Sequence, residues 1–266
     1  MDDNALISRL SIHLLRSPAR MSILGFALLI AVGTALLMLP ASTAGSPMGF
    51  VDALFMSTSA SCVTGLSVLD IGRHLTLFGQ LVILLLIQVG GLGIMTVSTL
   101  LLMMMRRRPT LSGQAIIKDT FTYGEGKQTA ASVLRAIFIT AFCIEAAGAL
   151  CLYLRMAPAA GWGLAAYPAM FHAVSAFCNA GFSLFADSFS AYRQDIYLNG
   201  VLCLLIVSGG IGFLVIAELG REISTGGRIW RRLSLHTKLV LTVTGGLIVI
   251  GTLLIGLIEW HNTLSG

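Results

Sequence analysis

The chain has 266 residues, of which 56% are hydrophobic and only 11% are charged, and its formal net charge is +5. Because soluble domains carry about 25% charged residues, these proportions exclude an ordinary soluble enzyme and indicate a membrane protein. The basic residues cluster before residue 21, in 105–135 and in 219–238, which predicts cytoplasmic segments and no nucleic-acid-binding surface.

The first apolar stretch, 21–39, contains no charged residue and is long enough to cross a bilayer as a helix. We expect the mixed, basic residues 1–20 before it to lie on the cytoplasmic side, and Pro40 to end the helix. Residues 50–61 are moderately apolar but reach only about 18 Å as a helix, roughly half of the hydrocarbon thickness. This segment is therefore predicted to enter the membrane and to turn back.

The same order of segments then recurs along the chain. Residues 75–105 form an uncharged span, which three arginines follow directly. After a polar connection, residues 133–154 form a span interrupted by one acid, Glu145, and 167–177 is again too short to cross. A further span is predicted over 197–217.

The predicted fold is an all-α membrane protein built from repeated M1–P–M2 units, each with two spans (M1 and M2) around a re-entrant pore helix (P), as in potassium channels. Basic residues after each second span place the connections in the cytoplasm. The predicted segments in chain order are a cytoplasmic N-terminal segment (1–20), a first repeat (21–108), a cytoplasmic connection (109–132), a second repeat (133–220), a second connection (221–238) and the first span of an incomplete third repeat (239–258).

The two short segments are copies of each other. From Ala53 the sequence reads ALFMSTSASCVTGLS, and from Ala169 it reads AMFHAVSAFCNAGFS. Both match A-x-F-x-x-x-S-A-x-C-x-x-G-x-S without a gap, and the spans that follow them carry GGLG and GGIG. An internal duplication of this kind is typical of transporters and channels.

Re-entrant helices leave backbone polar groups at mid-membrane depth, where they persist only if protein or water surrounds them. Two such helices are expected to face one shared pore, where the negative ends of their dipoles favour a cation. The loops that follow contain no acid, which favours binding of a monovalent cation such as K⁺ by backbone carbonyl groups. Gly65 and Gly181 suit this role because glycine adopts positive φ. The candidate filter residues are Cys62, Val63, Thr64, Gly65, Cys178, Asn179, Ala180 and Gly181.

Other residues in the duplicated region have simpler interpretations. Cys62 and Cys178 are interpreted as small buried residues rather than redox sites. His172 aligns with Met56, so the copies do not share it, and a proton relay or metal site there is disfavoured. The glycines of GGLG and GGIG are interpreted as packing residues that let helices approach closely.

Two polar residues lie within the predicted spans. Glu145 is an ionisable group inside the membrane, which makes it a functional candidate, but it is equally consistent with a hydrogen-bonded structural group. Gln88 is expected to form an interhelical hydrogen bond. Both are candidates for intramembrane polar support, and no catalytic residue is predicted.

The stretches SASCVTGLSVLD, FGQLVILLLIQVGGLGIMT, FHAVSAFCNAGFSLFADSF and LSLHTKLVL closely resemble the membrane subunit of the Ktr/Trk/HKT superfamily of potassium transporters, and the Ktr type is the nearer match. The resemblance implies four M1–P–M2 repeats around one potassium pore, with Gly65 and Gly181 as the filter glycines of the first two. It also implies a homodimer, a cytosolic nucleotide-binding RCK (KTN) partner and uptake that is often sodium-dependent, by symport. No organic cofactor is expected, since the transported ions are K⁺ and, by resemblance, Na⁺.

The sequence departs from the family pattern because it holds two full repeats and only the first span of a third. We expect either a fragment of a longer chain or subunits that associate to complete the pore, and the fragment is the favoured interpretation. The predicted function is potassium uptake across the cytoplasmic membrane, with a cytoplasmic N-terminus. Two alternatives stay open: a non-transporting fragment or regulatory membrane subunit, and an intramembrane enzyme that would use Ser59, Ser175 or His172.

Overall fold

A computed structural model describes residues 18–106, 130–225 and 229–259 of the chain. Within these ranges the backbone is helical apart from turns, loops and one isolated β-bridge between Thr43 and Leu75. The all-α fold predicted from the sequence is therefore confirmed for the described residues. The helices are α1 (Pro18–Leu37), α2 (Phe50–Ser61), α3 (Ile71–His74), α4 (Leu77–Arg106), α5 (Ala130–Ala160), α6 (Trp162–Phe177), α7 (Ile196–Gly210), α8 (Phe213–Thr225), α9 (Ile229–Arg232) and α10 (Leu235–Glu259).

The described residues divide into two compact units. The first unit contains residues up to 100 together with 130–210, and the second contains the end of α4 and the residues from 211 onward. Within the first unit the helices form two matching sets of three, α1, α2, α4 and α5, α6, α7, and the middle helix of each set is called the short helix and the outer two the long helices. In the second set α6 and α7 have nearly equal lengths, 16 and 15 residues, because the chain breaks after Gly210. Each short helix packs against the long helix that precedes it, as the duplication in the sequence predicts.

Helix length and composition identify the segments that could cross a membrane. Among the described residues, Leu134–Ala159 and Leu235–Glu259 are long and apolar enough to do so. A third candidate arises if α7 and α8 are counted as one interrupted span. Ser22–Leu37 and Leu77–Gly93 are shorter apolar helical segments. The short helix α2 has 12 residues, which as a helix reach about 18 Å.

Glycine allows the two long helices of each copy to close around the short one. A Cβ atom at Gly33 of α1 would lie 2.7 Å from the Leu86 side chain of α4. A Cβ atom at Gly148 of α5 would lie 2.5 Å from the Leu205 side chain of α7. The same pair of residue types therefore forms a similar contact in both copies, and a larger residue at either glycine would require that leucine side chain to move.

Two sequence predictions in the second copy need correction. The short helix begins at Trp162 rather than at 167, because α5 continues to Ala160 and only Gly161, with φ of 92°, separates the two helices. Its 16 residues still reach only about 24 Å, less than the hydrocarbon thickness of about 30 Å. The outer loop expected before 167 is thus reduced to one glycine, because the apolar, alanine-rich residues around it favour helix.

The predicted continuous span 197–217 is also wrong in detail. Helix α7 ends at Gly210, and α8 begins at Phe213 after Gly212, whose φ is 86°. Positive φ is incompatible with a continuing right-handed helix, and glycine adopts it without a steric penalty. The first copy has the similar run GGLG within the unbroken helix α4, so the glycine pair alone does not cause the break.

In the second unit, Glu218 of α8 holds the start of α10. Its carboxylate accepts hydrogen bonds from the Ser234 amide (2.6 Å), from the Ser234 hydroxyl (2.8 Å) and from the Thr237 hydroxyl. Ser234 also accepts a bond from the Thr237 amide at 3.3 Å and so acts as the N-cap. A carboxylate in this position complements the positive end of the helix dipole.

Candidate functional site

The first short helix ends in a Schellman motif. After the C-cap of α2, the amide of Val63 donates to the carbonyl of Ala60 at 3.2 Å. The amide of Thr64 donates to the carbonyl of Ser59 at 2.8 Å. This pair of bonds satisfies carbonyl groups that the end of a helix would otherwise leave without partners, and it turns the chain sharply out of the helix axis.

The second short helix ends in the same way. The amide of Asn179 donates to the carbonyl of Ala176 at 3.0 Å, and the amide of Ala180 donates to the carbonyl of Ser175 at 2.7 Å. The donors and acceptors occupy equivalent positions of the duplicated sequence. The duplication therefore extends from the sequence to individual backbone hydrogen bonds, and the loops at 62–66 and 178–182, called the filter loops below, leave their helices with the same geometry.

Both filter loops also share an unusual pattern of backbone angles. The residue after the C-cap has positive φ in each loop, 57° at Val63 and 59° at Asn179. Two residues later φ is positive again, 85° at Gly65 and 72° at Gly181. Asparagine and glycine tolerate this region, whereas a β-branched residue such as valine is an outlier there and carries strain of about 1–3 kcal/mol.

The structure brings the two predicted filter glycines together. A Cβ atom built on Gly65 would lie 2.6 Å from the carbonyl oxygen of Ala180 and 3.2 Å from the Cα of Gly181. A Cβ atom on Gly181 would lie 3.4 Å from the Cα of Gly65. The two loops, which lie more than a hundred residues apart in sequence, therefore meet backbone to backbone, and positive φ and close approach both require glycine at 65.

The glycines of the second long helices support the filter loops from behind. A Cβ atom at Gly90 of α4 would overlap the carbonyl oxygen of Ser61, the last residue of α2. A Cβ atom at Gly209 of α7 would overlap the carbonyl oxygen of Phe177, the last residue of α6. These contacts agree with the packing interpretation of GGLG and GGIG, because only glycine lets one backbone approach another this closely.

The two cysteines that open the filter loops have different surroundings. Cys178 is buried, and a Cβ atom at Gly91 would lie 2.8 Å from its sulfur. The Cys178 thiol also lies 3.9 Å from Oε1 of Glu145. Cys62 is exposed, so the expectation that both cysteines are buried is correct for Cys178 and wrong for Cys62. The cause is that α4 and α5 cover Cys178 from two sides, whereas no described helix covers Cys62 in the same way.

Gln88 and Glu145 form one buried polar contact beside the second filter loop. The side-chain amide of Gln88 on α4 donates to both carboxylate oxygens of Glu145 on α5, each at 3.0 Å. Glu145 is only 4% exposed. The contact joins the last long helix of the first copy to the first long helix of the second, and Cys178 lies against the same carboxylate. The structure thus brings three of the predicted site residues together.

The first serine of the shared motif has a hydrogen-bond partner in one copy only. The Ser175 hydroxyl on α6 donates to the carbonyl of Phe182 at 2.7 Å, which ties the end of the second filter loop to its helix. The Ser59 hydroxyl is buried and has no hydrogen-bond partner among the described residues. The second filter loop is therefore held by more side-chain contacts than the first.

A small cavity of about 120 Å³ lies directly beside the two filter glycines. Its polar lining includes an acid that sequence reasoning missed, Asp70, which also caps α3 by accepting a bond from the Arg73 amide at 3.1 Å. The signal that could have found it is an acid shortly after each filter glycine, Asp70 in one copy and Asp187 in the other. Among the described residues, no cluster of three or more His, Cys, Asp or Glu side chains could hold a metal ion.

The chain is similar to known cation transport proteins along most of its length. The family of cation transport proteins called TrkH matches residues 19–260. The chain is 39% identical over 249 residues to the Ktr system potassium uptake protein B of Bacillus subtilis, covering 92% of the chain and 54% of that protein. It is 38% identical to the protein of the same name in Vibrio alginolyticus, covering 91% and 52%. It is 37% identical to the potassium/sodium uptake protein NtpJ of Enterococcus hirae, covering 94% and 54%. The chain therefore spans about half the length of these relatives.

Proposed function

Because the chain belongs to the TrkH family of cation transport proteins, we propose that it forms part of a pathway for potassium uptake across the cytoplasmic membrane. The backbone carbonyl groups of 62–65 and 178–181 replace the water around the ion. A membrane potential of 100 mV contributes about 2.3 kcal/mol for each monovalent cation that enters. The family transports cations and is not a family of enzymes, so no covalent step takes part.

The observation that carries this proposal is the meeting of the duplicated loops at Gly65 and Gly181. The carbonyl oxygen of Ala180 in one loop lies 2.6 Å from the Cβ position of Gly65 in the other. Alternation of the sign of φ along a loop turns successive carbonyl groups to the same side of the chain, as a ring of oxygens around an ion requires. The loops themselves contain no carboxylate, which favours a monovalent over a divalent ion.

The identity of the ion rests on the relatives. Two of them are named for potassium uptake and one for potassium and sodium uptake. We extend potassium to this chain as the transported ion and sodium as the coupling ion of a symport. The two filter glycines are then two of four around the pore, since the relatives are about twice as long.

The partners of the chain and its orientation in the membrane are also proposed from the relatives and from the sequence. The word "system" in the names of two relatives indicates that those proteins work with other components. For this chain we infer a homodimer with a cytosolic nucleotide-binding RCK (KTN) subunit. We also infer that the segments 1–20, 109–132 and 221–238, and with them the N-terminus, belong on the cytoplasmic side, because basic residues are enriched in cytoplasmic connections.

Gln88 and Glu145 act as polar support for the second filter loop. The side-chain amide of Gln88 donates to both carboxylate oxygens of Glu145 at 3.0 Å, and this carboxylate in turn contacts the Cys178 thiol. A polar group at membrane depth is costly unless it has partners, and these contacts supply them for the Glu145 carboxylate, whereas the side-chain oxygen of Gln88 has none among the described residues. The role of the pair is to fix the position of the loop rather than to contact the ion.

Uptake by the complete protein in liposomes tests the proposal. The reconstituted protein is expected to take up K⁺ and Rb⁺ in preference to Na⁺ when a negative internal potential is applied. Gly65→Asp and Gly181→Asp should weaken this preference, because a side chain at positive φ distorts the filter loop. Gly45→Asp serves as the control, since no atom lies within 4 Å of its Cβ position.

Two results would count against the proposal. One is an unchanged preference for potassium over sodium in both filter variants, at matched amounts of reconstituted protein. The other is the absence of ion uptake by the wild-type complete protein together with its partner subunit, which would favour the alternative of a non-transporting regulatory subunit.

A further inference from the structure

Met56 and His172 occupy equivalent positions in the two short helices, nine residues before the filter glycine of each copy. Both side chains are buried, with exposures of 0% and 1%. Each faces a serine that follows its filter glycine by two residues, Ser67 in the first copy and Ser183 in the second. Different side chains thus form the same contact in the two copies.

In the second copy the contact consists of well-formed hydrogen bonds. Nδ1 of His172 lies 2.8 Å from the carbonyl oxygen of Pro168, which can only accept, so Nδ1 carries the proton. Nε2 is therefore an acceptor, and the Ser183 hydroxyl at 3.1 Å and the Leu184 amide at 3.2 Å share its one lone pair. The Ser183 oxygen accepts in turn from the Phe185 amide at 3.0 Å.

Aromatic rings hold the imidazole in place. The ring of Phe185 stacks on His172 at 4.7 Å between centroids, and Phe189 meets it edge-on, also at 4.7 Å. Phe171, the preceding residue on α6, contacts it at 5.8 Å. Because Phe185 and Phe189 belong to the segment that leaves the filter loop, His172 fixes this segment both by hydrogen bonds and by packing.

In the first copy the same contact is weaker. The Ser67 hydroxyl lies 3.4 Å from the sulfur of Met56 and also within hydrogen-bond distance of the Leu69 carbonyl. A hydroxyl has one proton, and a thioether is a weak acceptor, so the carbonyl competes for the bond. Met56 therefore holds Ser67 mainly by packing.

We propose that the residue at position 56 or 172 is a positioning residue, which ties the outer end of each filter loop to its own short helix. This inference rests on the proposed function, since it concerns how the filter is held. Each loop is then fixed at two points, by the Schellman motif where it leaves the helix and by this contact just beyond the glycine. His172 holds its loop more firmly than Met56 does, and it influences which ion passes without contacting the ion.

The proposal requires that selectivity depends on the acceptor at Nε2. A site discriminates between similar ligands only when its groups are held within about 0.5 Å of their working positions. His172→Leu fills a similar space but removes both the acceptor and the donor. His172→Gln keeps an acceptor at a similar reach, and His172→Met installs the residue of the first copy.

The experiment measures Rb⁺ uptake, with Na⁺ as competitor, by the complete protein and these variants at matched amounts in liposomes. We expect His172→Leu to raise the KM for Rb⁺ and to lower the preference for Rb⁺ over Na⁺ by about tenfold, the loss of one to two hydrogen bonds. His172→Gln should retain most of the preference, and His172→Met should lie between the two. A residue with only a packing role would change the amount of folded protein but not the ion preference.

The outcomes separate this inference from the proposed function. If the wild-type protein takes up no Rb⁺, the proposed function fails first. If the wild type is active but His172→Leu and His172→Gln show the same ion preference, the positioning role is refuted. If His172→Met shows the same ion preference as His172→Leu, the functional equivalence of positions 56 and 172 is refuted. If His172→Leu does not fold, His172→Met takes its place, because a thioether is only a weak acceptor, and an ion preference equal to that of the wild type in that variant would also overturn the proposal.

Discussion

Replacement of Gly65 by alanine should disrupt the filter loops more than replacement of Gly181, although the two glycines are equivalent in sequence. Both adopt positive φ, 85° and 72°, where an L-residue costs about 1–2 kcal/mol. A Cβ atom at Gly65 would stand 2.6 Å from the carbonyl oxygen of Ala180, so backbone atoms must move. At Gly181 the nearest atom lies at 3.4 Å, an ordinary contact.

The difference between the two variants can be worked out from these contacts. Forcing extra volume against atoms that cannot rotate away costs about 1–3 kcal/mol. We therefore expect Gly65→Ala to lower the free energy of unfolding by about 2–5 kcal/mol, and Gly181→Ala by about 1–2 kcal/mol. Rb⁺ uptake should fall in the same order, because the larger displacement lies at the meeting point of the loops.

The assay is thermal denaturation of the complete protein in detergent, followed by Rb⁺ uptake after reconstitution. Gly161→Ala is the matched control, since its φ is 92° but no atom lies within 4 Å of its Cβ position. It isolates the cost of the backbone conformation from the cost of the contact. If Gly65→Ala lowers the melting temperature no more than Gly181→Ala and Gly161→Ala do, the close approach of the two loops is refuted.

Three further predictions concern the surroundings of the loops. Gly209→Ala should destabilise the protein by about 1–3 kcal/mol, because its Cβ would overlap the Phe177 carbonyl. The adjacent Gly210 has no atom within 4 Å of its Cβ position, so Gly210→Ala should leave the melting temperature unchanged or raise it. Equal effects of the two variants on the melting temperature would contradict the packing of Gly209 against α6. Glu145→Leu leaves a buried amide without its partner and should cost about 1–3 kcal/mol, and Glu145→Gln should cost less; thermal denaturation of both variants checks the order. Val63→Asn replaces a β-branched residue at positive φ and should stabilise the protein by about 1 kcal/mol, and a lowered melting temperature would argue against strain at that residue.

The sequence alone was sufficient for the repeated architecture, for physical reasons that the chain makes visible. An uncharged stretch long enough to span the membrane and a stretch of half that length cannot be confused. The helix Phe50–Ser61 begins and ends where the sequence predicts, because Gly49 precedes it and the filter loop follows. In the second copy the sequence locates the end of the short helix, Phe177, but not its start.

The details that the sequence could not supply depend on contacts between distant residues. The break after Gly210 is not predictable from the glycine pair, since the similar pair in α4 stays helical. The extension of α6 back to Trp162 reduces a predicted loop to Gly161. The position of neither break follows from local composition, because tertiary packing decides whether a glycine ends a helix or lies within it.

In the candidate site, too, some features could be predicted from the sequence and others depend on contacts between distant residues. The filter glycines were predicted from the duplication, and so was the burial of Cys178, but the exposure of Cys62 was not, because the cover of Cys178 comes from α4 and α5. Pairing of Gln88 with Glu145 requires two helices that are separate in sequence to come together. From the sequence, Asp70 would be read only as a helix cap, and the structure shows that it also lines the cavity beside the filter glycines.

The contacts of Gly90 and Gly209 with the ends of the short helices mean that each helix end rests on bare main chain, with no layer of side chains between. A side chain can rotate to accommodate a substitution nearby, whereas a peptide group is planar and rigid. The depth of the proposed filter in the bilayer is therefore set by the skeleton of the protein. Substitutions among the lining side chains are then expected to alter the chemistry of the proposed filter without moving the ends of the two short helices.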